Sequence, residues 1–489
     1  MRFKNLFILF LFFIISVVIR IPNLNRPLSK HHEFNPAFFL IPMEIWNKSS
    51  VQAHDYSPVL NYPTDKGIND FCAGDTEKDG NYYYLSFGAV SYLIPYFFLD
   101  TFHSINVFGL QIFNVLFHLL SAFLIFRILL LMQQNNKLKS PYFYYPAIIY
   151  LLLPNTLWYH GNAYTHHVLG VFFLLLTFYA TLLLLKKVTF FTTLLFFSSL
   201  VLFINTEWLS CFYAWTLFCY LMVIKHDRKW LILFVLLLSV LAGLTLFFAQ
   251  YSSLIGTEKL LEYLHNRFMI RSFFDKGFAH FFTLFYQLGF WYLVGFVPLL
   301  TVLLFVGFTS MKSYYNTKRY HIFFLLFVPI FLYHIVFSEF TIAHEYSVMY
   351  DTVYFSLLAG VFIIKSNRFL EEKRNTFHFL LFTLFAFSIG QYYVINRPGV
   401  KSQNGDLYIN QKRVGLFIKK HAAKDEVIIV QNLADRPNPQ VVFYAKRNFY
   451  SVYSTTEKNK LIKSLTAKKY FFLELNHYTI VHFAHLKKL

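Results

Sequence analysis

Apolar stretches of about 20 residues recur along this chain from Leu6 to Val394, and each is long enough to cross a hydrocarbon layer of about 30 Å as a helix. Inside a bilayer the backbone must satisfy its own hydrogen bonds, so such stretches are expected to be helical. Only 14% of the residues are charged, against about 25% in soluble domains, and 56% are hydrophobic, which excludes a freely water-soluble globule. The chain is therefore expected to be an all-α polytopic membrane protein. Eleven candidate spans begin near Asn5, Ser104, Tyr142, His167, Val188, Leu209, Trp230, His280, His321, Tyr346 and Thr376. The first has the basic start of a signal peptide but runs into Arg20-Ile-Pro without a small-residue cleavage site, so it is read as a retained helix.

Charge orients these spans. The short loops on one side hold Arg127, Lys137, Lys139, Lys186, Lys187, Lys225, Arg228, Lys229, Lys312, Lys318, Arg319, Arg368, Lys373 and Arg374, and the positive-inside rule places this basic set in the cytoplasm. The other side collects His31-His32-Glu33, Asp55, His160, His166-His167, Glu207, Glu339 and His344-Glu345. It also carries the two long loops, 21–103 and 252–279, and long loops are where function concentrates. Within the first, Pro36 to Trp46 and Leu85 to Phe98 are apolar but too short to span, which predicts helices lying in the membrane interface. In the second, Lys259 to Arg271 spaces its apolar residues as one helical stripe.

The membrane domain is expected to cover residues 1–396. From Arg397 to Leu489 the chain turns polar, with 17 Lys/Arg against 6 Asp/Glu, and its pattern predicts a small basic α/β domain on the outer face. Helices are expected at Leu407 to His421, Pro439 to Ala445 and Thr456 to Leu465, with strands at Glu426 to Val430, Phe449 to Val452 and Tyr470 to Glu474. Such a charge balance favours contact with anionic lipid headgroups. Cys72, Cys211 and Cys219 are too scattered for a disulfide framework or a metal site.

The sharpest local feature is Arg20-Ile-Pro-Asn-Leu-Asn-Arg26-Pro-Leu-Ser-Lys30-His-His-Glu33, which sets a carboxylate among cations just outside the first helix. Moving a sugar from a lipid phosphate to a hydroxyl needs one carboxylate as general base and cations for the departing charge, because the phosphate is already a competent leaving group. The residues from Arg20 to Glu33, the long loop with two short helices, the many spans and the α/β tail together resemble the C-type (GT-C) membrane glycosyltransferases. The nearest layout is that of the protein O-mannosyltransferase and aminoarabinose transferase group. That resemblance implies a GT-C fold and a glycosyltransferase using a polyprenyl-phosphate-linked donor. It gives Glu33 the role of the family's acid, puts His32 at the neighbouring aspartate position, and leaves Asp55 as a second acid able to complete the pair. It implies a lipid-linked sugar donor, an acceptor glycolipid, glycan or protein, surrounding membrane lipids, and no nucleic acid. A bacterial inner membrane with the site facing the periplasm is the matching location.

Donor phosphate needs cations, and Lys66, Arg267 and Arg271 are the candidates on that side. His166, His167, Glu207, His344 and Glu345 are candidate cavity-lining residues. No metal site is expected among them: adjacent residues on a helix point about 100° apart, so His166 and His167 are poorly spaced for one ion. A divalent cation such as Mg is compatible with the chemistry but not indicated by ligand spacing. Two other functions compete. A glycolipid transporter or flippase would place its ionisable groups near the midplane and repeat its helices, and neither pattern is present here. An envelope polysaccharide polymerase or ligase would share the donor but lack the α/β tail.

Overall fold

The computed structural model describes residues 2–28, 32–62, 76–135, 140–314, 321–396, 407–433, 438–467, 469–476 and 479–487. The chain opens with α1 (Arg2–Arg20), then α2 (Phe34–Ser49), a small hairpin of β1 (Thr76–Lys78) and β2 (Asn81–Tyr83), and α3 (Val90–Thr101). Next come α4 (Val107–Asn135), α5 (Tyr145–Leu152), α6 (Pro154–Tyr159), α7 (His166–Lys186), α8 (Phe190–Ile204), α9 (Leu209–Val223) and α10 (Lys229–Ile255). They are followed by α11 (Thr257–Arg271), α12 (Ala279–Gly295), α13 (Val297–Tyr314), α14 (Phe324–Val336), α15 (Ser338–Ala343), α16 (Met349–Lys365), α17 (Asn367–Glu372) and α18 (Arg374–Asn396).

Among the described residues six helices are long and apolar enough to cross a membrane, from α1, α4, α7, α10, α16 and α18, and α8, α9 and the stretch His321–Val336 are shorter apolar helices. Two expected spans differ in form. The one beginning near Tyr142 is interrupted at Leu153, because Pro154 cannot donate to the preceding turn and starts a new helix instead. The one beginning near His280 is the pair α12 and α13, bent by 90° at Phe296. Pro298 explains the bend: it has no N–H for the carbonyl four residues back, so it is accommodated only in the first turn of α13. Beyond the bend α12 packs on α6, α15 and the turn Glu345–Val348, whereas α13 packs on α16 and α18. The bundle is inside out relative to a soluble protein: Phe190, Val223, Trp230, Phe379 and Phe382 stand exposed on helix faces, as lipid-facing side chains do.

The tail forms α19 (Leu407–His421), β3 (Val427–Gln431), α20 (Pro439–Ala445), β4 (Tyr450–Val452), α21 (Thr455–Ser464), β5 (Lys469–Asn476) and β6 (Thr479–Lys487). Its sheet has the order β4-β3-β5-β6, with β3 parallel to β4 and β5 and β6 antiparallel to β5. The final strand was not expected, because β6 is an edge strand with no fully buried residue, and its sequence lacks the apolar alternation of a half-buried one. The tail docks on the first long loop. Asn448 exchanges two hydrogen bonds with the backbone of Tyr62, at 2.9 and 3.0 Å, and Lys446 pairs with Glu44, which also accepts from the Tyr62 hydroxyl at 2.9 Å. Tail and first loop therefore share one face of the molecule.

Candidate functional site

On that face a cavity of about 500 Å³ opens between α2, the segment after β2, α11 and α15, with Pro439 of the tail at its edge. Its walls follow from local sequence. Arg267 and Arg271 lie four residues apart on α11, which places both on one side of the helix, and both line the cavity. Arg271 donates to the Tyr84 hydroxyl at 2.9 Å and lies 4.9 Å from the ring centre of Phe87, and Arg267 lies 5.2 Å from that of Tyr263. Aromatic and phenolic groups of this kind orient a guanidinium.

Three chain segments meet at and behind the wall formed by His166. His166 begins α7, and its ring stacks on Phe87 at 3.7 Å. Glu207 sits in the turn between α8 and α9, a turn fixed to the first loop by the Trp208 indole donating to the Ser86 carbonyl at 2.8 Å. Gly88 is required there: a Cβ would lie 2.2 Å from the Asn205 carbonyl oxygen. The Tyr350 hydroxyl of α16 donates to Glu207 Oε2 at 3.1 Å, passing over Gly170, where a Cβ would lie 2.4 Å from that hydroxyl. The Trp208 amide donates to Glu207 Oε1 at 2.9 Å. Burial raises the Glu207 carboxyl above the usual carboxylate range, against the opposing pull of His167, Tyr350, the Trp208 amide and Arg271.

The two histidines meet at this carboxylate, contrary to what adjacent positions on a helix suggested. Their ring centres are 4.1 Å apart, and Glu207 Oε2 lies 2.8 Å from His166 Nε2 and 3.9 Å from His167 Nε2. The spacing rule fails because His166 is the first helical residue, following extended Thr165, and because the third group arrives from a different hairpin. The ligating atoms of all three lie within 4.8 Å of one another and all three residues are buried, so they could hold a metal ion.

The segment Ala343–Tyr346 closes the cavity. His344 and Tyr346 line it, with their rings stacked at 4.9 Å, while Glu345 turns away to a smaller cavity of about 130 Å³ and accepts from the Tyr159 hydroxyl. Burial, reinforced by Arg271, pulls the His344 imidazole down to about 4, so it is neutral at ordinary pH.

The remaining sequence-derived residues are placed as follows. Glu33 is buried at the head of α2 and is gripped through both carboxylate oxygens by Arg26; its neighbours Phe34 and Asn35 line the cavity. His32 packs edge-on to Tyr346, ring centres 5.0 Å apart, behind the cavity wall. Asp55 is exposed and adopts a left-handed backbone after the Gln52–His54 turn, apart from the cavity lining. Lys66 lies outside the described residues. Reading the sequence did not single out Asn35, a residue type too common in this chain to stand out. Glu339, named only as one more outer-loop acid, lines the cavity and pairs with Lys276 at 3.2 Å and His280 at 3.5 Å.

No family model matches the sequence, and no curated protein sequence does. Solved structures do match the fold. ArnT from Cupriavidus metallidurans in the apo state superposes with a TM-score of 0.60 over 95% of this chain and 92% of that one, at 11% identity. The same protein bound to undecaprenyl phosphate gives 0.60 over 95% and 92%, at 10% identity. The oligosaccharyltransferase AglB from Archaeoglobus fulgidus, in complex with an inhibitory peptide and a dolichol-phosphate, gives 0.56 over 96% and 69%, at 11% identity. The fold is the GT-C type that these two membrane glycosyltransferases share.

Proposed function

We propose that this chain is a membrane glycosyltransferase that moves a sugar from a polyprenyl-phosphate-linked donor to an acceptor hydroxyl at the outer face of a bacterial inner membrane. The observation that carries the reading is the pair Arg267 and Arg271 on the wall of a 500 Å³ cavity, beside rings able to stack on a sugar, in a GT-C fold. Two structures with this fold hold lipid phosphates, undecaprenyl phosphate in ArnT and dolichol-phosphate in AglB. Arg271 and Arg267 receive the donor phosphate, and their charge stabilises the oxygen from which the sugar departs. The acceptor oxygen attacks the anomeric carbon on the side opposite the phosphate. That bond forms as the carbon–oxygen bond to phosphate breaks, the configuration inverts, and the acceptor proton passes to a carboxylate.

The carboxylate is assigned to Glu33, from its place in the first-loop motif. Arg26 donates to both of its oxygens, so Glu33 accepts a proton at a lone pair that Arg26 leaves open. A second assignment, Glu339, is favoured by its position on the cavity wall. Purified protein given a radiolabelled polyprenyl-phosphate sugar and membrane extract as acceptor separates the two. Loss of transfer in Glu33→Gln with activity kept in Glu339→Gln supports Glu33, and the reverse pattern selects Glu339. Donor translocation across sealed vesicles without any covalent product would replace the transferase reading with that of a flippase.

A further inference from the structure

We propose that His166, His167 and Glu207 form a transition-metal site, suited to zinc by its donor set, with its remaining coordination position toward the cavity. The inference rests on the geometry of these three residues and stands apart from the transferase reading. Each comes from an independent constraint: the histidines from the start of α7, the glutamate from the α8–α9 turn. All three are buried, and their ligating atoms converge within 4.8 Å.

His166 and Glu207 are at ion-pair distance. His166 Nε2 lies 2.8 Å from Glu207 Oε2 without meeting hydrogen-bond geometry, and among the described residues neither ring nitrogen of His167 has a hydrogen-bond partner. A buried polar atom left without a partner costs about 1–3 kcal/mol, so one ring nitrogen from each histidine calls for a partner that both can share. Zinc bonds to imidazole nitrogen and carboxylate oxygen run about 2.0–2.2 Å, which makes the edge of a tetrahedral ligand set roughly 3.3 Å. The two separations to Glu207 Oε2, 2.8 and 3.9 Å, bracket that edge. Two imidazoles and a carboxylate select zinc or a neighbouring late transition metal over magnesium or calcium, which prefer an all-oxygen shell. His166 lines the cavity, so a fourth position there is reachable by a ligand.

The test uses the full chain in detergent, purified on a tag without histidine, treated with chelator, reloaded with zinc chloride and desalted. About one zinc per chain by elemental analysis is expected, with an X-ray absorption shell of two imidazoles and oxygen and a cobalt-substituted visible spectrum of low coordination number. Glu207→Gln and His167→Gln are expected to abolish retention and the cobalt spectrum. Failure of the wild-type chain to retain zinc overturns the proposal. So does retention unchanged in both variants, or a shell containing sulfur, which would point to Cys211 instead. Should a variant prove polydisperse on size exclusion, the wild-type absorption shell decides alone: any first shell other than two imidazoles with oxygen overturns the site.

Discussion

Two buried clusters in the membrane domain contain similar residues and differ in how completely they are satisfied. At the break between α5 and α6, Arg20 is fully buried and donates to the carbonyls of Leu157, Ser16 and Thr156 at 2.9, 3.0 and 3.2 Å and to His118 Nδ1 at 2.8 Å. The other nitrogen of His118 faces the Tyr150 carbonyl at 3.3 Å, and His160 stacks on the His118 ring and meets the Tyr150 hydroxyl at 2.9 Å. Within this cluster His160 Nδ1 is the ring nitrogen without a hydrogen-bond partner among the described residues. At the cavity, by contrast, His166, His167 and His344 each carry a buried ring nitrogen without one. The first cluster repairs a helix interruption at depth, where irregular backbone is tolerated only if its polar groups are satisfied. The second leaves capacity over, and spare capacity beside a cavity is what binding chemistry needs.

The largest effect is expected on the repairing side. Arg20→Met leaves the carbonyls of Thr156 and Leu157 and a ring nitrogen of His118 without their donor, and should cost about 3–5 kcal/mol, read as a large loss of monodisperse protein and a lower melting temperature in detergent. Arg271→Gln should do the opposite: little change in melting, but a fall in transfer of roughly 100- to 1,000-fold, the range for removing one donor to a developing negative charge. Comparable destabilisation in both variants would break the distinction between the clusters.

Acid titration sharpens it further. His344 binds a proton less readily in the fold, near 4, than in the unfolded chain, near 6.5. Its stabilising share is therefore complete above pH 6.5 and is lost as pH falls to 4, up to about 3 kcal/mol. His344→Gln should flatten the decline in thermal stability over that window, and an unaltered slope would show that other groups govern it. The smallest effect is expected at the tail. Asn448→Ala removes two hydrogen bonds to the Tyr62 backbone and should weaken docking by about 1–2 kcal/mol, visible as faster proteolytic release of residues after 406.

Much of the architecture was legible before any coordinates. Hydropathy located the apolar helices, since lipid leaves the backbone no other choice, and turn residues with period changes located α19, β3, α20 and β4 within a residue or two. The short helices α2, α3 and α11 were recognisable because their apolar runs are interrupted or one-sided. What escaped were consequences of single residues acting on their neighbours in space. Pro298 turned an expected span into a pair bent by 90°, and Arg26 took hold of both oxygens of Glu33, the acid to which the sequence motif had pointed.

By itself the sequence determined that the chain enters a bilayer and roughly where it does so, because those properties sum over many residues and tolerate local error. Only the tertiary structure decided which of those groups meet. His166, His167 and Glu207 are brought together by the packing of α7 against the α8–α9 hairpin, and Arg267 and Arg271 share with His166 a cavity whose other walls come from the first loop and from α15. Convergence of that kind depends on helix rotation, on a glycine-permitted close approach at Gly88 and Gly170, and on backbone turns, none of which is additive along the chain.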